Sequence, residues 1–165
     1  MKVVIISDVH NNLVRLKKVL DFCQKEKVAG IISCGDLASK ETLTFLKTNF
    51  IGSVWHVLGN MDKDFLKEKL TKIIKEENSI IFPDYGEVFL NGKRAAFTHF
   101  PQRAQELFSL EKYQVVFYGH THCPWLSRKK DTYLINPGNV AGERFKATFA
   151  LWEVEKNLFH LLSVD

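Results

Sequence analysis

The pattern of apolar and polar positions changes character about halfway along the chain. Val3 to Ile6 is an unbroken β-branched run, which predicts a strand buried on both faces. Leu13, Leu16, Leu20 and Cys23 then recur at helical spacing, with Arg15, Lys17 and Lys18 elsewhere on the wheel. Asn11 or Asn12 stands where a cap for that helix belongs. Gly30 to Ser33 predicts a second strand, and Ser39 or Lys40 opens a second helix through Leu43, Leu46 and Lys47. Ser53 to Val57 predicts a third strand, and the lysine-rich stretch 63 to 76 a third helix.

Beyond that point strands dominate. They are expected at Ser79–Phe82, Glu87–Leu90, Arg94–Thr98, Val115–Tyr118, Trp125–Arg128, Thr132–Ile135, Ala147–Glu153 and Leu158–Ser163. Asn91-Gly92 between two of them is a hairpin signal. One more helix is expected around Pro101 to Leu110. Strand–helix alternation followed by a strand-rich half predicts an α/β fold, a two-sheet β-sandwich with helices outside. Neither a repeat nor a linker interrupts the pattern, so residues 1–165 are expected to form a single domain.

Composition adds little to this and excludes some functions. A hydrophobic share of 45% and a charged share of 25% are those of a globular protein. The net charge of +4 suits an anionic ligand, but the basic residues are scattered, so no large nucleic acid is expected as partner. Three widely spaced cysteines, Cys23, Cys34 and Cys123, form no metal-binding or redox pair and suggest a reducing compartment. The apolar run at the N-terminus is too short for a signal peptide, and none elsewhere reaches the ~18 residues needed to span a membrane. A cytoplasmic protein without membrane contact is expected.

The chemistry gathers where strands end. The first ends in Ser7-Asp8-Val9-His10, the second in Cys34-Gly35-Asp36, the third in Gly59-Asn60-Met61-Asp62. Later strands end in Thr98-His99 and Gly119-His120-Thr121-His122. In open α/β sheets the ligand crevice lies outside the carboxyl ends of the strands, so these segments are expected to converge. Together they bring two carboxylates (Asp8, Asp36), one amide (Asn60) and four imidazoles (His10, His99, His120, His122). Nitrogen and oxygen ligands without thiolate suit a borderline divalent ion: manganese first, with nickel, iron or zinc as alternatives. Seven ligands exceed what one ion takes, and two ions about 3.5–4 Å apart, sharing a carboxylate, would use them all. His56 and His160 fit no such pattern and are read as structural.

The order Asp-x-His, Gly-Asp, Gly-Asn, His, Gly-His-x-His resembles the calcineurin-like metallophosphoesterases. Asn136-Pro137-Gly138-Asn139 is similar to the Asn-Pro-Gly-Ser turn of their small prokaryotic phosphodiesterase branch, whose fold the retromer scaffold subunit shares. The resemblance implies the four-layer metallophosphoesterase fold. It also implies one ion on Asp8, His10, Asp36 and His122, and another on Asp36, Asn60, His99 and His120, with Asp36 bridging. Asp36, Asn60 and His99 would then serve catalysis, and Asn60 and His99 would also touch substrate. The implied activity is hydrolysis of small phosphodiesters by a two-metal-activated hydroxide. The alternative is a weakly active or non-catalytic metal-binding scaffold of the same fold, as monomer or homodimer.

Three positions depart from the family pattern. Met61 stands where many members have a proton-donating histidine, Ser39 where an acid or amide is common, and Phe100-Pro101 where Gly-His often follows His99. Asp62 is read as a helix cap rather than a proton donor. Lys63, Arg103 and Arg144 lie near motif loops and are weighed as phosphate contacts against ordinary surface roles. An aspartyl-phosphate phosphatase would need a second acid where His10 stands, and no Gly-x-Ser-x-Gly elbow appears.

Overall fold

The computed structural model describes residues 1–62 and 72–165. In chain order the elements are β1 (Lys2–Ile6), α1 (Leu13–Lys25), β2 (Gly30–Ser33), α2 (Lys40–Thr48), β3 (Ser53–Val57), β4 (Ile74–Lys75), β5 (Ser79–Phe82) and β6 (Tyr85–Leu90). They continue with β7 (Lys93–Thr98), α3 (Pro101–Ser109), β8 (Val115–Phe117), β9 (Trp125–Lys129), β10 (Thr132–Asn136), β11 (Thr148–Glu153) and β12 (Leu158–Ser163).

Two mixed sheets form. The larger has the order β12-β11-β1-β2-β3-β5-β4 and the smaller β6-β7-β8-β10-β9. Strands β1, β2, β3 and β5 run parallel, as do β7, β8 and β10. Antiparallel strands close both edges of each sheet.

Side-chain alternation builds the layers. Val3 and Ile5 of β1 face the interior between the sheets, where they join Val57, Phe97, Phe117, Ile135 and Trp152. Val4 and Ile6 face the other way, onto Leu16, Val19, Leu20 and Cys23 of α1 and Leu43 and Leu46 of α2. On the far side of the smaller sheet, Ala104 and Leu107 of α3 cover Ala96, Val116 and Leu134. The order of layers is therefore helices, sheet, sheet, helix, as the sequence pattern predicts.

Local chemistry sets the element ends. Asn12 caps α1 by accepting the Arg15 amide at 3.1 Å, and Ser39 caps α2 by accepting the Thr42 amide at 3.2 Å. Pro101 opens α3, where its missing N–H costs nothing. Asn91 and Gly92 both take positive φ between β6 and β7, as a tight hairpin turn requires.

Two expectations need correction. Of the helix expected over 63–76, residues 63–71 lie outside the described residues, and Ile74–Lys75 is instead a strand paired antiparallel with β5. Pairing along an open sheet edge overrides the helical preference of a lysine-rich segment. Leu13, placed on the apolar stripe of α1, is exposed, and Val19 takes the buried position.

Candidate metal centre

The parallel strands β1, β2 and β3 of one sheet and β7 and β8 of the other deliver their C-terminal loops to one place. The loop after β1 lies on the loop after β2: the amides of Asp8 and Val9 donate to the carbonyls of Gly35 and Asp36 at 3.0 and 2.9 Å. Across the seam between sheets, the His120 amide donates to Asp8 Oδ2 at 3.0 Å. The turn after β10 supports both sides. Val140 donates to the Ser7 carbonyl at 3.0 Å, and Asn139 Nδ2 to the His122 carbonyl at 3.1 Å.

These loops carry concentrated backbone strain. Asp8, His10, Asp36, His120 and His122 all have positive φ, between 46° and 68°. Asp, Asn and His tolerate that region best among residues with a Cβ, and clusters of such residues mark sites where geometry matters more than local stability.

All seven expected ligands come together. Asp8, His10 and His122 offer ligand atoms within 4.8 Å of one another, and so do Asp8, Asp36 and His99. His122 Nε2 is 3.2 Å and His10 Nε2 3.6 Å from Asp8 Oδ1. On the other side His99 Nε2 lies 3.4 Å from Asp36 Oδ2 and 3.0 Å from Asn60 Oδ1. His120 Nδ1 is 3.0 Å from the same amide oxygen and 3.2 Å from His99 Nε2. Asp8 is common to both groups, whereas Asp36 joins the one that contains His99.

The donor set fits divalent cations. Asp8 Oδ1, His10 Nε2 and His122 Nδ1 are buried without a hydrogen-bond partner, a costly arrangement for a protein interior. His99 Nδ1 donates to the Cys34 carbonyl at 2.8 Å, which leaves Nε2 bare in the neutral ring and facing two oxygens. A positive charge between Asp8 Oδ1 and His10 Nε2, which lie 3.6 Å apart, would satisfy both.

Protonation follows the same field. Burial pushes the Asp8 carboxyl upward, but the His10, His99 and His122 imidazoles and the Ser7 hydroxyl outweigh it and hold its pKa below the usual value. Asp8 raises the pKa of His10. Burial lowers the pKa of His99, and Asp36 and Asp8 more than reverse this. Burial, together with the neighbouring His99, lowers that of His120.

Close approach of backbone shapes the cradle. A Cβ on Gly119 would lie 1.9 Å from Ser7 Oγ and 3.0 Å from Asp8 Oδ2. One on Gly59 would lie 2.0 Å from Asp36 Oδ1. Neither contact is sterically possible, so both strand ends need glycine.

The remaining expectations divide. Met61 is half-exposed, and its amide donates to Asp36 Oδ1 at 2.7 Å. The Phe100 ring packs against His99 and His120, at centroid distances of 4.9 and 5.2 Å. Ser39 caps α2. Arg103 bonds Asp84 and Glu106 at 3.0 and 2.6 Å and lies over the Tyr85 ring. Arg144 is exposed in the loop after Gly142, and Lys63 lies outside the described residues. His160 bonds Glu153 at 2.9 Å, away from the site.

Asp62 is not a proton donor to the cleft. It is fully buried and accepts the amides of Asp36, Gly59 and Ala38 at 2.7, 2.8 and 2.9 Å. Burial pushes its pKa up, but the nearby His56 and the amides of Gly59 and Ala38 prevail and bring it down to about 2. Any cap that Asp62 offers to the segment after it falls outside the described residues.

The calcineurin-like phosphoesterase superfamily domain matches residues 1–157. Phosphodiesterase MJ0936 of Methanocaldococcus jannaschii is 31% identical over 145 residues, covering 86% of each chain. A solved archaeal phosphodiesterase covers 99% of each chain with 27% identity and a TM-score of 0.84. Vps29 of Chaetomium thermophilum shares the fold with a TM-score of 0.72 at 16% identity, over 98% of this chain and 95% of that one. The phosphodiesterase relatives support a hydrolase, and this family implies divalent metals, for which the converging side chains are suitable ligands. The chain belongs to the calcineurin-like phosphoesterase superfamily.

Proposed function

We propose that the protein is a metal-dependent phosphodiesterase acting on small phosphodiesters at a dinuclear centre. The observation that carries this reading is the cluster of buried, unpartnered acceptor atoms on Asp8, His10 and His122 beside the Asp36–Asn60–His99–His120 group. One ion position is assigned to Asp8, His10, Asp36 and His122, the other to Asp36, Asn60, His99 and His120. Manganese is the first expectation, with nickel, iron and zinc as alternatives.

When bound, two divalent ions would neutralise the phosphate charge and lower the pKa of a shared water toward about 7. The protein's own groups orient and hold. Asn60 can turn its carboxamide oxygen to an ion and its NH2 to a phosphate oxygen. His99 is fixed in one tautomer by the Cys34 carbonyl, which aims Nε2 into the site. Asp8 spends Oδ2 on the Ser7 hydroxyl at 2.6 Å and on the His120 amide, which leaves Oδ1 for ligation. Met61 has no proton to give, so the reading favours diesters whose leaving group departs without acid assistance.

A second reading, a scaffold that binds metal without turnover, is favoured by Met61, by Phe100 and by the fold shared with Vps29. Elemental analysis of the purified protein, followed by hydrolysis of bis(p-nitrophenyl) phosphate with manganese or nickel restored, separates the two. Turnover that requires added metal supports the enzyme; metal uptake without turnover supports the scaffold. Asp36→Asn is expected to weaken both ions and abolish hydrolysis. Wild-type occupancy together with retained turnover in that variant would sink the bridging assignment.

A further inference from the structure

The helix-facing side of β2 and β3 is apolar until its last rung. Ile31 and Val54 face the helices there, and the next pair in register is Ser33 and His56. Both are fully buried, and His56 Nδ1 is hydrogen-bonded to Ser33 Oγ at 3.0 Å. His56 Nε2 has no hydrogen-bond partner and lies 3.3 Å from Asp62 Oδ2. An imidazole beside a buried carboxylate is a costly way to fill space that an apolar side chain would fill more cheaply.

The carboxylate joins the loop that carries Asp36 to the loop that carries Asn60. Asp62 Oδ2 accepts the amide of Asp36 and the amide of Gly59. Its other oxygen accepts the amide of Ala38. The connection runs back as well, since the Met61 amide donates to Asp36 Oδ1. Asp36 therefore reaches the Asn60 loop through two reciprocal bonds: its amide to the Asp62 carboxylate, and its carboxylate to the Met61 amide. Met61 and Asp62 are neighbours in sequence, so the two bonds fix both position and rotation of Asp36. An ionised carboxylate accepts on both oxygens, whereas a protonated one would present an O–H toward amide donors. The His56 ring lies beside Oδ2 and holds the carboxylate in the orientation that meets the three amides.

We propose that His56 and Asp62 are a positioning pair that locks the bridging Asp36 against the Asn60 loop and so couples binding of the second ion to the first. This rests on the metal-centre reading above, and neither residue touches ion or substrate. Removing an outer partner of a metal ligand lowers affinity by about 10–100-fold. Without the clasp, Asp36 is free to settle on one ion, and the loss falls on whichever ion binds second.

The test is calorimetric titration of the metal-stripped full chain with Co2+, followed by the visible spectrum of the loaded protein. The wild type is compared with Asp62→Asn, His56→Leu and His56→Gln. Asp62→Asn and His56→Leu are expected to weaken the second binding step by about 10–100-fold and to alter the Co2+ spectrum. His56→Gln retains an N–H able to reach Asp62, and it is expected to recover most of the loss. A purely structural role would lower the melting temperature of the metal-free protein in both His56 variants and leave Co2+ affinity unchanged. Wild-type affinity and spectrum in His56→Leu, or equal losses in His56→Leu and His56→Gln, would overturn the proposal. Should Asp62→Asn fail to fold, the two His56 variants still decide. A wild type that binds two Co2+ ions but cleaves no diester in the phosphodiesterase assay would overturn the functional reading and leave the positioning role intact.

Discussion

At the scale of single residues, the side chains that face the cleft were readable and those behind it were not. Asp8, His10, Asp36, Asn60, His99, His120 and His122 stand out because each follows a strand and belongs to a recognisable spacing. Asp62 and His56 carry no such mark. The acceptor role of Asp62 depends on amides at positions 36 and 38, in a loop that only the packed sheet brings near. Two predictions belong here. Gly119→Ala would drive a methyl group into Ser7 Oγ and is expected to cost about 1–3 kcal/mol of stability, read as a lower denaturation midpoint, together with weaker metal binding. Asp62 titrates at about 2 in the fold against 3.8 when free. Its folded pKa is depressed, so its contribution, on the order of 2 kcal/mol, is present above pH ~4 and lost as pH falls toward ~2. Asp62→Asn should flatten that acid limb in chemical denaturation of the metal-free protein. An unchanged limb would show that the buried carboxylate gains nothing from its ionised state.

At the scale of elements, periodicity found the strands and helices whose preference agrees with their surroundings. Strand β1 reads as doubly buried and lies between β2 and β11. The caps at Asn12 and Ser39 were visible because Asn and Ser before an apolar repeat satisfy amides that a helix leaves open. Strand β4 was not visible, since two residues carry no period and the pairing with β5 is supplied from outside the segment. Ser39→Ala is expected to lower stability by about 1 kcal/mol through loss of the bond to the Thr42 amide. Because α2 follows directly on the Asp36 loop, the same variant measures how far the end of that helix steadies the loop. Loss of stability without loss of metal affinity would place the helix end outside the site's support.

At the scale of the whole molecule, the change from strand–helix alternation to consecutive strands pointed to two sheets with helices outside. Their internal order did not follow from it. That β11 and β12 return to extend the first sheet beyond β1 depends on contacts across nearly the whole chain, such as Lys2 opposite Glu153. The assembled field also sets how protons and metals compete. Asp8 and Asp36 raise the pKa of His10 and His99, so in the metal-free protein these rings keep a proton to higher pH than a free imidazole. A metal must displace that proton, and apparent affinity is expected to fall steadily as pH drops from 7 to 5. Titrations at several pH values that show no release of protons on binding would count against imidazole ligation.

The candidate ligands come from both halves of the sandwich: Asp8, His10, Asp36 and Asn60 from the larger sheet, and His99, His120 and His122 from the smaller. An ion held by both sets is a rivet through two plates. Sliding one plate over the other would tear the rivet's seat, so a loaded protein should resist shear along the seam that an unloaded one permits. At a free metal concentration 100-fold above the dissociation constant, that reinforcement is worth about 2.7 kcal/mol per site. The same seam would then be what keeps the two sheets in register.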